Sequence, residues 1–321
     1  MLISQRARNF FVRSGGLAIL FAWIPLHCIS FHLSFPCAIV QLKNMCCLSI
    51  FSQLNKLMSR EPADQWNKSI ETHEITIESF DGLKLAGTLF LQKNPTDAWM
   101  ICVHGYMNNQ SKLLPQVQAF YKQGVNILTI DLRSHGKSEG VISTMGEQEQ
   151  EDILAWINTL IAKYPTAKIA LLGNSLGAVS CLRAAGNRLP SNVKCIVADS
   201  CYNSIFEIVT NASRKISNTS ELSNLLISFL KNSKRKTTVE QLKSATLPIL
   251  FIHSKNDVVS PIDQVNTVFE SAPEGKELVI TTTPHNRCFD TNPQNYLNWV
   301  MSFLEKHGIP PEPTQNPMQR L

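Results

Sequence analysis

Lys168-Ile169-Ala170-Leu171-Leu172-Gly173-Asn174-Ser175-Leu176-Gly177 is the stretch that decides the fold. KIALL is a short apolar run, suited to a strand buried on both faces of a parallel sheet. Leu176 to Arg188, rich in alanine and leucine, reads as the helix that follows. A strand that turns abruptly into a helix at a serine holds that serine in a strained conformation, with its hydroxyl at the tip of the turn. Residues two positions away must be small, and Gly173 and Gly177 leave that room. The new helix opens with unpaired N–H groups and the positive end of its dipole. Ser175 is therefore a candidate nucleophile, Gly173, Asn174 and Gly177 form its elbow, and the Leu176 N–H is a candidate oxyanion donor.

Working outward, further apolar runs occur at Ala98 to Val103, Val125 to Asp131, Val193 to Asp199, Pro248 to His253 and Glu277 to Thr281. Between them lie helix-like stretches. Gln148 to Tyr164 sets Ile153, Trp156, Ile157, Leu160 and Ile161 on one face at three- and four-residue spacing. Ser111 to Gln123 stops at Gly124, and Asn292 to His307 carries Tyr296, Leu297, Val300 and Leu304 before Gly308. At the front, His73 to Gln92 alternates apolar and polar residues around Asp81-Gly82, a hairpin signal. Strands alternating with helices predict an α/β fold, a doubly wound sheet with right-handed crossovers. Cys201 to Ala245 breaks the rhythm. It holds an amphipathic pattern (Leu222, Leu225, Leu226, Phe229, Leu230) and no strand-like run, and reads as a small helical cap or as a lengthened crossover.

Acyl-transfer chemistry at a serine also needs a base, an acid and a second oxyanion donor. Chain order in a strand–G-x-S-x-G–helix arrangement is serine, acid, histidine. Asp257 follows PILFIH in the polar loop HSKNDVVSP, where a carboxylate can reach an imidazole and hold its tautomer. Asp199, ending the preceding strand, is the alternative acid. His285 follows ELVITTTP, in the loop after the last strand, and has both the order and the place of a base. The second donor should come from the loop opening His104-Gly105-Tyr106, with the Tyr106 N–H as candidate. The Tyr106 ring is equally suited to packing or to lining an acyl pocket. His104 and His253 read as packed histidines.

The first sixty residues hold six Arg and Lys and no acid, while the remainder has 24 basic against 25 acidic residues. A nearly neutral body gives no electrostatic reason to expect nucleic acid as a partner. Ser14 to Leu42 carries no formal charge and exceeds the roughly 20 residues that a helix needs to cross a bilayer. Arg6, Arg8 and Arg13 precede it. Residues 1–58 therefore read as a hydrophobic N-terminal segment, a signal anchor or signal-like sequence, with membrane association through residues 14–42. The alternative is a cytoplasmic protein whose translation starts at Met45 or Met58. Residues 59–71 read as a linker, 72–308 as the catalytic domain with the cap at about 201–245, and the proline-rich 309–321 as a disordered tail. Nine cysteines occur without a CxxC pair or zinc-ligand spacing. Cys102 and Cys195 lie inside apolar runs and read as small buried hydrophobes.

With these residues placed, VHGYMNN, DLRSHGKSEG, LLGNSLGA and HSKNDVVSP together resemble the α/β-hydrolase superfamily over about residues 72 to 307. The chain is most similar to the lipase/esterase and serine-aminopeptidase-like branch. DLRSHGKSEG resembles that branch's D-x-R-G-H-G-x-S-x-G loop, with Ser134 where glycine is usual. Asn174 stands where His, Phe or Trp is common, and Pro284 precedes His285 where a small residue is usual. The resemblance implies an α/β-hydrolase fold with a mostly parallel eight-stranded sheet flanked by helices, and no metal or organic cofactor. It implies a structural role for the DLRSHGKSEG loop. The expected activity is a serine hydrolase acting on a carboxylic ester of a small-molecule acyl substrate through an acyl-enzyme. Peptidase, thioesterase and acyltransferase reactions on the same fold are the alternatives.

Overall fold

The computed structural model describes residues 70–187, 189–208 and 236–310. Backbone contacts divide the chain into two compact units, residues 43–203 with 236–321 and residues 1–42 with 204–235. The second unit contributes only Ser204 to Ile208, a helical start at Ile205 with the Ser204 hydroxyl accepting the Phe206 N–H at 3.1 Å. The expected membrane-associated run 14–42, most of the linker, most of the cap and the end of the tail lie outside the described residues. Among the described residues no helix is long and apolar enough to cross a membrane.

The first unit is built on eight strands: β1 (Thr72–Glu78), β2 (Lys84–Phe90), β3 (Ala98–Val103), β4 (Asn126–Ile130), β5 (Lys168–Asn174), β6 (Val193–Asp199), β7 (Ile249–Ser254) and β8 (Glu277–Thr281). Their order across the sheet is β1-β2-β4-β3-β5-β6-β7-β8. β2 pairs antiparallel with β1 and β4, and every other pairing is parallel. The eight-stranded, mostly parallel sheet implied by the resemblance is present. The hairpin turns at Ser79–Leu83, where the Ser79 N–H donates to the Leu83 carbonyl at 2.8 Å and Gly82 adopts φ +84°.

Helices α1 (Leu114–Tyr121), α2 (Glu149–Lys163), α3 (Leu176–Ala185), α4 (Thr238–Leu242), α5 (Ile262–Ser271), α6 (Cys288–Thr291) and α7 (Pro293–Lys306) complete the described unit. Alternate residues of the central strands share one face: Met100 and Cys102, Ala170 and Leu172, Cys195 and Val197, Leu250 and Ile252. They pack with Val117 and Phe120 of α1 and with Tyr296, Val300, Phe303 and Leu304 of α7 in one apolar cluster. Each Val, Leu, Ile, Phe or Met side chain among them contributes about 1.5–3 kcal/mol when withdrawn from water. On α2, Trp156 lies against Gly87 of β2, where a methyl group would stand 3.0 Å from the indole. Cys102, Cys181, Cys195, Cys201 and Cys288 are buried free thiols. One expectation fails. Glu277 to Thr281 reads as a strand covered on both faces, yet β8 is half-exposed throughout and Ile280 is largely open to solvent. It pairs with β7 alone, and an edge strand can be covered only in part.

Because β3 to β8 run parallel, their carboxyl ends deliver six connections to one edge of the sheet, where sites of open α/β sheets form. The loop after β4 is braced by buried charge. Arg133 donates to Asp152 of α2 (Nε to Oδ2 and Nη2 to Oδ1, both 2.6 Å) and to Asp81 of the hairpin turn at 2.9 and 3.2 Å. Breaking a buried pair by removing one partner costs about 3–5 kcal/mol, because the other charge stays dehydrated. Asp152→Ala should therefore lower the unfolding free energy, read from urea midpoints, by about 3–5 kcal/mol. A loss below about 0.5 kcal/mol, as at exposed pairs, would contradict this bracing role.

Candidate active site

β5 ends at Asn174, and Ser175 turns the chain into α3 with φ +54° and ψ −111°. A left-handed backbone at a residue with a side chain is strained, at a cost of order 1–3 kcal/mol. Neighbouring chain crowding imposes it. A Cβ on Gly173 would fall on the Gly177 carbonyl, and one on Gly177 would fall on the Val103 and His104 carbonyls. The Ser175 N–H donates to the Asp199 carbonyl at 2.8 Å, and the Ser175 carbonyl accepts from Val179 at 3.0 Å. Asn174 is buried beside the serine, its Nδ2 donating to Gln116 Oε1 of α1 at 3.2 Å.

His285 Nε2 lies 3.0 Å from Ser175 Oγ, and His285 Nδ1 lies 2.5 Å from Asp257 Oδ2. The three groups, 110 and 28 residues apart in sequence, form one hydrogen-bonded row. Asp257 is buried, and its Oδ1 is already engaged by the Val259 and Ser260 N–H groups, each at 2.8 Å. Only Oδ2 is turned to the imidazole. With a carboxylate on Nδ1, that nitrogen carries the proton and Nε2 is left to accept from the serine.

Two serines that sequence reasoning missed fix the loops that carry the acid and the base. Ser254 donates to the Thr283 carbonyl and accepts the Asn256 N–H at 3.1 Å, while Asn256 Nδ2 reaches the Thr282 carbonyl at 2.8 Å. The loop after β7 is thereby pinned to the loop after β8. Ser200 Oγ accepts the Asn286 N–H at 3.0 Å and donates to Asp199 Oδ1 at 2.8 Å. Asp199, the alternative acid, thus steadies the residue after His285 through Ser200. Among the described residues its carboxylate makes no hydrogen bond to the imidazole itself. Ser200 and Asn286 lie 86 residues apart, and no local motif announces such a contact.

The loop after β3 brings the remaining candidates together. A Cβ on Gly105 would stand 3.3 Å from Ser175 Cβ, so this backbone passes directly over the serine. His104 Nε2 accepts the Leu132 N–H at 3.0 Å, which makes Nδ1 the protonated nitrogen, and Nδ1 donates to the Gly105 carbonyl at 2.7 Å. The same carbonyl accepts from Asn108 at 3.2 Å. In a trans peptide the following N–H points the opposite way, so the Tyr106 N–H is directed away from the His104 ring. Among the described residues no acceptor takes the N–H of Tyr106 or of Leu176. His135 Nδ1 lies 2.9 Å from the Arg133 carbonyl, and its Nε2 accepts the Met107 N–H at 3.3 Å. Burial pushes both His104 and His135 down to about 4, so both rings are neutral at pH 7. His253 Nε2 donates to the Ser260 carbonyl at 2.9 Å and packs beneath the site.

Residues 98–209 match the model of the family described as alpha/beta hydrolase fold. The solved esterase Pf2001 of Pyrococcus furiosus superposes with a TM-score of 0.65 at 26% identity, over 77% of this chain and 96% of that one. The chain has the α/β-hydrolase fold. Its sequence relatives include the uncharacterized protein YqkD of Bacillus subtilis, 25% identical over 74% of this chain and 81% of that protein. Another is the uncharacterized protein YfhR of Escherichia coli O157:H7, 26% identical over 75% and 83%. GrgF, an α/β hydrolase from a Penicillium species, shares the fold at 20% identity with a TM-score of 0.58.

In this α/β hydrolase Asp199 is fully buried, and desolvation pushes its carboxyl up to about 6, against about 3.9 in an unfolded chain. Between those values the folded chain holds a proton that the unfolded chain has released. The group's stabilising contribution is therefore present below about pH 4 and lost as the pH rises through about 6. Asparagine keeps the Oδ1 acceptor for Ser200 and never ionises. The stability of Asp199→Asn relative to the parent chain should rise as the pH is raised from 4 to 7, measured by urea unfolding. A difference that does not vary with pH would show that Asp199 holds no such proton.

Proposed function

We propose that this α/β hydrolase is a serine hydrolase that cleaves a carboxylic ester of a small-molecule acyl substrate. The row Asp257–His285–Ser175, with 2.5 and 3.0 Å between its members, carries the reading. Ser175 Oγ attacks the ester carbonyl carbon while His285 Nε2 takes the hydroxyl proton. Asp257 offsets the charge of the resulting imidazolium. The carbonyl oxygen becomes an oxyanion between the N–H groups of Tyr106 and Leu176, and each such donor supplies about 3–4 kcal/mol of transition-state stabilisation. Collapse of the tetrahedral adduct breaks the bond to the alcohol oxygen, which leaves with the proton from His285. Water, deprotonated by His285, then attacks the acyl-enzyme, and a second collapse returns Ser175 and releases the carboxylic acid. Ester is the preferred substrate class because the 26%-identical Pyrococcus protein is described as an esterase.

Ser175→Ala should reduce hydrolysis of short p-nitrophenyl esters by about 10⁶-fold, to the limit of detection, and abolish covalent labelling by a fluorophosphonate. The fold, followed by circular dichroism, should persist. Ester hydrolysis retained at the parent rate in that variant would overturn the proposal.

The charge-free run 14–42, preceded by three arginines, adds membrane association to the proposal. Full-length chain should sediment with membranes on cell fractionation, and a chain beginning at Ser59 should not. Identical distributions of the two would refute the anchor.

A further inference from the structure

The loop Asp131–Gly140 lies outside the reacting row, yet it is stapled at two points to the loop that carries Tyr106. At one end Asp131 Oδ1 accepts the Gln110 N–H at 2.8 Å, and Oδ2 accepts Gln110 Nε2 at 3.1 Å. At the other, His135 Nε2 accepts the Met107 N–H. A carbonyl cannot donate, so the 2.9 Å contact with the Arg133 carbonyl requires the proton on His135 Nδ1. Nε2 is then a bare acceptor, the only role that satisfies an N–H. The ring is 2% exposed and meets the Tyr106 ring edge-on, with centroids 5.5 Å apart.

The consequence lies in the backbone between the two histidines. His104 holds the peptide joining Gly105 to Tyr106 by its carbonyl, and His135 holds the peptide joining Tyr106 to Met107 by its N–H. With both flanking peptide planes held, the two soft dihedrals of Tyr106 are restrained. Met107 sits at φ +58°, a conformation that costs a non-glycine residue roughly 1–2 kcal/mol and so relaxes when its restraint is removed. The restraint is itself rigid. His135 hangs from the carbonyl of Arg133, whose guanidinium is locked between Asp81 and Asp152. The geometry points to His135 as a positioning residue for the oxyanion donor: it aims the Tyr106 N–H by capping the Met107 N–H, without touching substrate. This rests on the serine-hydrolase reading above.

The test separates aim from general stability. Asparagine at 135 is too short to reach Met107 but keeps a donor for the Arg133 carbonyl, whereas glutamine offers Oε1 near the place of Nε2. An oxyanion donor stabilises oxygen far more than sulfur, which is a weak acceptor. Parent, His135→Asn and His135→Gln are therefore assayed on a p-nitrophenyl ester and on its thionoester, with melting temperatures measured alongside. His135→Asn should lower kcat on the oxygen ester by about 10- to 100-fold, leave KM within about twofold, and reduce the ratio of oxygen-ester to thionoester rates by the same factor. His135→Gln should recover at least a third of the parent ratio. Equal losses on both substrates, or identical ratios for the two variants, would overturn the assignment. A parent chain that hydrolyses neither ester and takes no fluorophosphonate would overturn the serine-hydrolase reading and this inference with it. An active parent with an indifferent His135 would sink the inference alone.

Discussion

The close passage of three backbones at Gly173, Gly177 and the end of β3 is the constraint on which the site depends. No side chain fits at either glycine, because each faces main-chain atoms across the crossing. That contact forces Ser175 into its left-handed conformation, starts α3 directly beneath it and seats β3 beside β5. Since β3 stops where β5 turns, the backbone leaving β3 at Gly105 must run over the serine. One steric requirement thus places the hydroxyl and both candidate oxyanion donors at the same edge of the sheet. Strain at such a point persists only where surrounding structure over-determines it, and the Asp199 carbonyl and the first turn of α3 supply that hold.

Around this crossing, buried polar groups act as fasteners between loops rather than as surface decoration. Asp131 ties the loop after β4 to Gln110, Arg133 ties it to the hairpin and to α2, and His135 ties it to Met107. Glu149 is fully buried, and its carboxylate accepts from the Ser143 and Thr144 hydroxyls and from the Thr144 and Gly146 N–H groups. A dehydrated charge or polar group is tolerable only when hydrogen-bonded, so each of these residues demands a particular arrangement of its neighbours. The energetic cost of burying them becomes geometric definition of the loops. Asp257 follows the same logic, with two N–H groups on one oxygen leaving the other aimed at His285.

Much of the architecture was legible in the sequence because its signals are local. Apolar runs mark β3 to β7, helical periodicity marks α2 and α7, and the Asp81-Gly82 turn marks the hairpin. β8 misled because ELVIT is as apolar as the central runs, and its place at the sheet's edge is set by strand order, which composition does not encode. The contacts of Ser200 with Asn286 and of His135 with Met107 carried no sequence signal. Their partners are remote, and serine and histidine occur in loops for many reasons. Asp199 ends β6 and Asp257 lies in the loop just after β7, so both were candidates for the acid. What distinguishes their surroundings is which carboxylate lies on the imidazole and which is turned to Ser200 and buried.

By itself the amino-acid order determined the strand–turn–helix at Ser175 and the α/β class, since both follow from nearest-neighbour sterics or short-range periodicity, while the order serine, acid, histidine came from the motif at Ser175. Tertiary structure alone decided which carboxylate faces His285, which loops are fastened to one another beside Ser175, and which strand lies at the edge. These are outcomes of packing between segments many tens of residues apart. No local propensity encodes the few-tenths-of-an-ångström tolerances that hydrogen bonding there imposes.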